Sequence, residues 1–163
     1  MATLHPTRNN LPQSTRTEMI GLLNERLASA IHLVIQAKVA HWNVRGPRFV
    51  PLHELFDQVY ANATEWMDDL AERVAQLGGV AEGTLEMVGR RTRVPPYELS
   101  RVSGQEHLDA LSHSVSIFGT DVRKAIDAAA EAGDAATSDL FTEIVRGVDE
   151  QLWMLEAHLH AEQ

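Results

Sequence analysis

The clearest structural signal in the chain lies in residues 49–79, which read FVPLHELFDQVYANATEWMDDLAERVAQLGG. Apolar side chains recur there at intervals of three and four residues, as on the buried face of an amphipathic helix. They are Leu55, Val59, Ala63, Trp66, Leu70, Val74 and Leu77. Pro51 suits a first helical turn, and Gly78 and Gly79 are typical of a helix end. The stretch therefore predicts one long helix.

A helix of the same kind is predicted before it. Thr15 and Glu18 have the spacing of a capping box at a helix start. An apolar stripe follows at Ile20, Leu23, Leu27, Ala30, Val34 and Ala37. Because Gly46 and Pro47 interrupt this pattern, we expect the two helices to pair as an antiparallel hairpin.

Two more helices are predicted downstream. Ser103 and Glu106 form a second capping-box pattern, and this helix is expected to end at Gly133. Thr137 or Ser138 can cap the last helix. The two apolar stripes are Leu108, Leu111, Val115, Phe118, Val122, Ala125 and Ala129, and then Phe141, Ile144, Val148, Leu152, Leu155 and Leu159.

Residues 79–102 lose the helical periodicity and contain three glycines and two adjacent prolines, with a short helix expected near residues 84–90. Two dozen residues are enough to run the length of a bundle. We therefore predict an all-α, ferritin-like four-helix bundle with a long crossover that carries a short helix between helices two and three. An up-down-up-down bundle with a floppy loop is the alternative. Residues 1–14 are expected to form a flexible tail, and residues 15–163 the bundle domain.

The composition narrows the function classes. A chain of 163 residues predicts one domain, and no apolar run approaches the roughly 18 residues of a membrane span. With no signal-peptide pattern, we expect a cytoplasmic protein. The absence of cysteine excludes disulfides and thiolate metal sites, so any metal must be held by His and carboxylates. The net charge of -9 favours a cationic partner; only residues 1–17, with Arg8 and Arg16 and no acid, are locally positive.

Five polar residues on or beside the second helix form a candidate metal site. His53, Asp57, Asp68 and Glu72 lie within one sector of roughly 100° at 100° per residue. His53 and Asp68 are nevertheless ~22 Å apart along the axis, and His41 belongs to the His53 end. One ion therefore cannot contact both ends in one chain. Two chains packed antiparallel about a two-fold axis would form two identical sites, so the spacing predicts a dimer.

This ligand set has two imidazoles, up to three carboxylates and no sulfur, which suits Fe(II), Mn(II) or Zn(II). Two metal positions would let two electrons pass together to a peroxide. The ordinary alternative is a solvated polar face. Against it, Asp68 and Glu72 are like charges four residues apart, which repel each other unless a cation or basic group is near.

The motifs that carry a family resemblance lie mainly in the helical hairpin and extend more loosely through residues 121–126 and 153–158. They are Ala40-His41-Trp42-Asn43-Val44-Arg45-Gly46, Phe49, Leu52-His53-Glu54 with Asp57, Asp68-Asp69-Leu70-Ala71-Glu72-Arg73, and Gln76-Leu77-Gly78-Gly79. The sequence resembles the Dps family, the DNA-binding proteins from starved cells, which are ferritin-like mini-ferritins.

The resemblance implies a hollow dodecamer that protects DNA during oxidative stress. Such a cage oxidises Fe(II), preferably with hydrogen peroxide, and stores the ferric mineral inside. The ferroxidase centre lies between two subunits and has two iron positions, for which Zn or Mn can substitute. Carried over by position, His41, His53, Asp68 and Glu72 are the metal ligands and catalytic residues, and Asp57 is an additional or outer ligand.

The resemblance also gives roles to residues outside the ligand set. Trp42 would border the site and intercept oxidising equivalents; a core or interface aromatic is the alternative. Asp139 and Glu143 would line a pore, although acids near a helix N-terminus are also favoured by the helix dipole.

The tail of residues 1–17 has two Arg and no Lys, unlike DNA-binding members, so DNA binding and nucleoid association are expected to be weak. The other hypotheses are a DNA-compacting protein with a vestigial metal site, and a hydrolase that uses the same site with Zn or Mn.

Overall fold

The computed structural model describes residues 4–160, so the ends of the expected tail and of the expected domain, residues 1–3 and 161–163, lie outside the described residues. Five helices follow one another along the chain, and no strand is present in the described part. The helices are α1 (Gln13–Asn43), α2 (Phe49–Gln76), α3 (Leu85–Arg91), α4 (Gly104–Glu131) and α5 (Ala135–His160). The predicted all-α bundle with a short helix in the crossover is confirmed. None of the helices between residues 4 and 160 is long and apolar enough to cross a membrane.

The bundle is built from two helical hairpins. α1 packs along α2 in the first hairpin, and α4 packs along α5 in the second. The hairpins are joined by contacts of α1 with α4 and of α2 with α5, and the short helix α3 lies against α1. The apolar stripes face inward; Phe56, Phe118 and Phe141 are fully buried, and the rings of Trp66 and Phe118 lie 5.9 Å apart. This shared core explains why the four long helices form one domain.

The crossover runs from the end of α2 back to its beginning. Arg45, in the α1–α2 turn, donates its backbone N–H to the carbonyl oxygen of Val102 at 3.2 Å and forms an isolated bridge with Ser103. A Cβ at Gly104 would meet the side chain of Leu52, near the start of α2, at 2.3 Å. α4 therefore begins at the end of the bundle where α2 begins, which excludes the up-down-up-down alternative.

The predicted cap of α4 is confirmed. Ser103 Oγ accepts a hydrogen bond from the Glu106 N–H, and the Glu106 carboxylate accepts one from the Ser103 N–H at 2.9 Å. Hydrogen bonds donated to the Glu106 carboxylate by the backbone N–H and the hydroxyl of Ser103, and by the N–H of Val102, lower the pKa of Glu106 to about 2. The start of α4 is thus fixed beside the α1–α2 turn.

The predicted capping box of α1 is wrong. α1 begins at Gln13 with Pro12 at its N-cap, so Thr15 lies inside the helix. The Thr15 hydroxyl instead donates to the carbonyl oxygen of Ala132 at 3.3 Å. The fixed φ of Pro12 prepares the start of the helix, and Thr15 is used in a tertiary contact. The expected boundary at residue 15 therefore falls two residues inside α1.

The predicted cap of α5 is also wrong. α5 begins at Ala135, and the carboxylate of Asp134 accepts the backbone N–H of Thr137 at 3.1 Å. Thr137 is the third residue of the helix and Ser138 the fourth. Asp134 caps the helix because its position just before the first turn satisfies an otherwise free N–H.

Replacement of Gly78 by Ala is expected to lower the free energy of unfolding by about 2–3 kcal/mol through backbone strain and a steric clash. Gly78 ends α2 with φ +86°, and its carbonyl oxygen accepts the N–H of His5 at 2.8 Å. A Cβ there would lie 2.7 Å from the His5 carbonyl oxygen. Urea denaturation measures the loss.

Gly133→Ala is the matched control, since Gly133 has φ +80° and a Cβ there would meet nothing within 4 Å. It should cost about 1 kcal/mol from strain alone. Equal losses in the two variants would show that the contact between His5 and Gly78 contributes nothing.

Candidate metal centre

The two histidines of the site are held together at the α1–α2 turn. His41 lies near the end of α1 and His53 in the second turn of α2; Gly46, with φ +112°, lets the chain reverse between them. Their rings stack with centroids 3.6 Å apart and planes 23° apart. The Nδ1–H of each ring donates to the backbone carbonyl oxygen of the other residue at 2.8 Å. These bonds place the ring protons on Nδ1 and leave the Nε2 lone pairs available for a metal.

Asp57 is paired with a lysine beside this histidine pair. The Lys38 ammonium contacts the Asp57 carboxylate and lies 4.2 Å from the centroid of the Tyr60 ring. Asp57 Oδ1 is also 3.8 Å from His41 Nδ1. The hydrogen bond from Lys38, with the charge of Lys38 and of the two histidines, lowers the pKa of Asp57 although desolvation opposes this. The carboxylate therefore stays ionised at the edge of the histidine pair.

The other two predicted ligands lie toward the far end of α2. Asp68 and Glu72 are exposed and one helical turn apart. The neighbouring Arg73 does not neutralise them, because its guanidinium is bonded to other residues. Partial burial and the negative charges of Glu143, Asp68, Glu65 and Glu72 raise the pKa of Asp69, next to this pair. The surrounding surface is therefore strongly negative and suited to attract a cation.

The five predicted ligands form two separate groups in one chain. His41 and His53 stack at the α1–α2 turn with Asp57 beside them, whereas Asp68 lies about 22 Å and Glu72 about 28 Å from His53 along α2, at 1.5 Å per residue. Within residues 4–160 of a single chain, no three His, Cys, Asp or Glu side chains come close enough to hold one metal ion. Each group has ligand atoms to offer and needs further ligands to complete a coordination shell.

Trp42 is not a core residue. Its side chain is 69% exposed, directly after His41, so the core interpretation is wrong.

Asp139 and Glu143 are exposed in the first turns of α5. Asp139 lines a cavity of about 380 Å³ beside Ser138, whereas Glu143 acts electrostatically on Asp69. Their pore role stays a prediction.

Two features of the site escaped the sequence analysis. The reciprocal hydrogen bonds of His41 and His53 depend on side-chain rotamers, which spacing does not give. Lys38 is one of only two lysines in the chain and lies one turn before His41. A lysine one turn before a predicted metal ligand is the sequence signal from which the ion pair with Asp57 could have been predicted.

Known proteins resemble the chain over nearly its whole length. A model of the ferritin-like domain matches residues 20–163. The chain is 44% identical over 155 residues to the DNA protection during starvation protein of Agrobacterium fabrum, covering 95% of this chain and 96% of the relative. The chain belongs to the Dps family of mini-ferritins. Its resemblance to that family is thereby confirmed.

Solved Dps structures share the same fold. DpsC from Streptomyces coelicolor is 31% identical and superposes with a TM-score of 0.93, covering 99% of this chain and 94% of that one. The Dps of Mycobacterium smegmatis is 27% identical with a TM-score of 0.89, covering 99% and 96%. The fold of the Dps family therefore extends through the crossover and α3 as well as the four long helices.

Proposed function

We propose that this Dps protein is a cytoplasmic iron-storage and detoxification cage that oxidises Fe(II) with hydrogen peroxide at a centre shared by two chains. The observation that carries the proposal is the stacked pair of His41 and His53. Reciprocal hydrogen bonds fix the two rings so that both Nε2 atoms remain free to bind metal. Asp68 and Glu72 supply carboxylates at the other end of the same helix.

An antiparallel pairing of two α2 helices completes the site. The histidine pair of one chain then meets Asp68 and Glu72 of the other, and the two-fold axis generates a second, identical site. The combined ligands are two imidazoles and two carboxylates, with Asp57 as an additional or outer ligand. This mixture suits Fe(II), with Zn(II) or Mn(II) as substitutes, and the carboxylate charge favours the ferric product.

The proposed reaction transfers one electron from each of two Fe(II) ions to one peroxide. Two Fe(II), one H₂O₂ and two protons give two Fe(III) and two waters, so no hydroxyl radical is released. The negative surface around Asp68, Asp69 and Glu72 concentrates Fe(II) at the site. The pairing of Asp57 with Lys38 keeps that carboxylate ionised and oriented before iron arrives.

The surface supports assembly beyond one chain. Large apolar side chains are exposed on α1, near the start of α2, along the crossover and on α5, and such side chains are available for contacts with other chains. They include Ile35, Phe49, Val50, Leu85, Leu99 and Trp153. The family resemblance implies a dodecamer, for which native mass spectrometry should give twelve times 18.1 kDa.

The test of this function adds Fe(II) anaerobically to metal-free protein and then injects hydrogen peroxide at half the iron concentration. We expect complete oxidation with about two Fe(III) per peroxide, little hydroxyl radical in a spin trap, and slower oxidation by oxygen. Oxidation no faster than in buffer, or one Fe(III) per peroxide with abundant hydroxyl radical, would contradict the proposal.

Asp139→Asn with Glu143→Gln is expected to slow iron uptake about 3–10-fold at low ionic strength, because the pair is proposed to draw Fe(II) through a pore. The defect should shrink in 0.5 M salt, where long-range attraction is screened. Stopped-flow absorbance measures the rate. A defect that is independent of salt would argue against electrostatic guidance.

DNA binding is a second candidate, favoured by the name of the Agrobacterium relative. Of the two arginines in residues 1–17, Arg16 is bonded to the carbonyl oxygens of Leu11 and Leu77, at 3.3 and 3.1 Å. Arg8 is then the main cation of the tail. A gel shift that disappears when residues 1–12 are deleted would support binding by the tail. Iron oxidation without any shift would mean that this protein protects DNA by chemistry alone.

A further inference from the structure

The crossover residues 92–97 are held against α1 and α4 by a buried glutamine. Gln36 is 1% exposed, and its amide nitrogen donates to the carbonyl oxygen of Pro95 at 2.6 Å and lies 3.2 Å from Nε2 of His32. The amide oxygen of Gln36 accepts the hydroxyl of Ser114, on α4, at 2.7 Å. One side chain therefore joins the crossover to two helices.

These contacts require a neutral His32. The carbonyl oxygen of Pro95 can only accept, so it fixes which end of the Gln36 amide faces it. The second N–H of the amide then donates to Nε2 of His32, which must carry no proton, and Nδ1–H donates to the Thr92 hydroxyl oxygen at 3.0 Å. A proton on Nε2 would set two donors against each other. The amide cannot simply turn over, because its oxygen would then face the oxygen of Pro95.

A second neutral histidine holds the end of the same stretch to α4. The hydroxyl of Tyr97 lies 2.5 Å from Nδ1 of His107, which is 1% exposed. Burial raises the pKa of Tyr97, so the phenol stays protonated and donates this hydrogen bond. Nδ1 of His107 can accept it only while that nitrogen carries no proton. Residues 92–97 are thus held at both ends through an uncharged imidazole.

The side chains around His32 give little support to a positive charge. His32 lines a cavity of about 550 Å³ between α1 and the crossover, where only His32 itself and Tyr97 can titrate among the described lining residues. One turn to either side of it on α1 are Ala28, Ser29, Ile35 and Gln36. The charged side chains that flank this region on α3, the crossover and α4 are paired with one another: Arg90 with Glu86, Arg91 with Glu82, and Arg93 with Asp121. Burial lowers the pKa of His32, although the backbone of Val94 opposes this.

Two charged neighbours act on His107 in opposite directions. Burial lowers the pKa of His107; Glu106, beside it on α4, opposes this, and Arg101 of the crossover adds to it. The backbone of Asn43, at the end of α1, also opposes the lowering of the pKa. Toward α2, His107 meets the apolar ring of Phe56 at 6.2 Å between centroids. The net effect on the pKa is downward, so this imidazole is mainly neutral at pH 7.

We propose that His32 and His107 form a pH-sensitive latch that holds residues 92–97 on α1 and α4 when both imidazoles are neutral and releases them when the imidazoles are protonated. Protonation turns the accepting nitrogen of each ring into a donor and breaks a hydrogen bond that holds the stretch. The released side chains take up the proton from water with the pKa of a free imidazole, about 6.5. Since the held state binds protons more weakly, release is favoured as the pH falls below that value, by up to about tenfold per pH unit for each histidine. The latch does not depend on the proposed iron chemistry.

The loosening should be confined to the end of the crossover. α3 is capped by the hydroxyl of Thr84, and α4 is capped by Ser103 and Glu106. With a pKa of about 2, the Glu106 carboxylate stays ionised at pH 5, so the start of α4 remains in place. Release instead uncovers Val94, a core residue that is 3% exposed. The latch thus gives acid-controlled access to the core from the crossover side.

Hydrogen exchange of the full-length, assembled protein, followed by mass spectrometry, tests the latch. The backbone N–H groups of Arg93 and Val94 are the reporters, because they donate to the hydroxyl oxygens of Ser29 and Thr92, each at 3.2 Å. Between pH 7.5 and pH 5, we expect the protection factors of residues 92–99 to fall by about tenfold or more. The protection factors of α2 and α5 should change by less than about twofold.

A His32→Gln, His107→Asn double variant removes both titrating groups. In each case the amide oxygen replaces the ring nitrogen that accepts a hydrogen bond, which is Nε2 of His32 and Nδ1 of His107. We expect residues 92–99 of this variant to be equally protected at the two pH values. His113→Gln is the matched control, because His113 is exposed on α4, and it should show the full loss of protection seen in the wild type.

Equal protection of residues 92–99 at both pH values in the wild type would overturn the proposal. A loss that persists in the double variant would overturn it as well, and so would a loss shared by α2 and α5, which would show that the whole bundle loosens. If circular dichroism shows that the double variant is not folded, exchange of the imidazole C2 hydrogens gives the pKa of each histidine in the wild type. Loss of protection at a pH that matches neither His32 nor His107 would then contradict the latch.

Discussion

An Asp68→Asn, Glu72→Gln double variant is expected to assemble like the wild type and to oxidise Fe(II) with peroxide more than about 100-fold more slowly, since loss of even an outer partner of a metal ligand costs 10–100-fold. Both side chains are exposed on α2 and bonded to no other described side chain, so their replacement by neutral amides of similar shape leaves the bundle intact. The histidine pair would then face neutral amides from the neighbouring chain.

Glu65→Gln with Asp69→Asn is the matched control, because it removes the same charge at the same four-residue spacing from the same helix. The control should retain most of the activity, with a modest loss from the weaker negative field. Stopped-flow absorbance of ferric ion and native mass spectrometry give the rate and the assembly. Equal losses of activity in the two double variants would mean that Asp68 and Glu72 act only through their negative charge and not as metal ligands.

The largest expected effect on stability comes from Asp134→Ala. Asp134 is 2% exposed, and its carboxylate accepts two hydrogen bonds from Arg73 Nη2, at 3.0 and 3.2 Å, as well as the N–H of Thr137. Its removal leaves the Arg73 guanidinium without its carboxylate partner, with only neutral acceptors on Thr137 and Gln76, and leaves α5 without its cap. We expect a loss of about 3–5 kcal/mol in the free energy of unfolding, as for other broken buried pairs.

Asp139→Ala, on the exposed side of the same helix, should change stability by less than about 0.5 kcal/mol. Urea denaturation of both variants is compared at one protein concentration, because assembly makes apparent stability depend on concentration. A loss below about 1 kcal/mol for Asp134→Ala would mean that the attraction between Asp134 and Arg73 is almost cancelled by the cost of removing their charges from water.

The loss of stability at acid pH is a second test of the Asp134 carboxylate. Burial opposes ionisation of Asp134, but hydrogen bonds from Thr137 and the charge of Arg73 hold its pKa below the ordinary value. A carboxylate whose pKa is lowered by folding stabilises the native state above its unfolded pKa of about 4, and this stabilisation is lost as the pH falls through the folded pKa. Asp134→Ala should therefore flatten the decline in stability below pH 4. An unchanged decline would assign acid sensitivity to other groups.

The sequence predicted the helices well because their apolar stripes are long and periodic. The length of residues 79–102 separated a crossover from a tight turn, and the Arg45–Val102 contact confirmed its path. The errors were at the starts of α1 and α5. Thr15 was misjudged because a capping pattern is local, whereas its actual partner, Ala132, is 117 residues away in sequence. At α5 the cap is local, from Asp134 to the N–H of Thr137, but Thr137 and Ser138 are equally good capping residues by type and the sequence did not separate them from Asp134.

For the site, the grouping of the residues could be predicted from the sequence, but the orientation of their side chains could not. Helical spacing placed His41 with His53 and separated them from Asp68, as the structure does. The orientation of the imidazoles was not predictable, because it depends on carbonyl oxygens of the facing helix. The influence of Glu143 on Asp69 likewise depends on the packing of α5 against α2, which no local pattern specifies.

The most direct test of a centre shared between chains is a mixing experiment with two inactive variants. One is His41→Asn, His53→Asn, in which the amide replaces the Nδ1–H donor of each ring but not Nε2. The other is Asp68→Asn, Glu72→Gln. If ligands come from two chains, a mixed dimer contains one complete site and one site that lacks every ligand pair.

Co-refolding the two variants in equal amounts and measuring peroxide-dependent Fe(II) oxidation gives the answer. Random pairing about a two-fold axis predicts recovery of about a quarter of the wild-type activity, because each site draws its histidines and its acids independently from half of the chains. A mixture as inactive as either parent, with mixed assemblies present by native mass spectrometry, would contradict the shared centre.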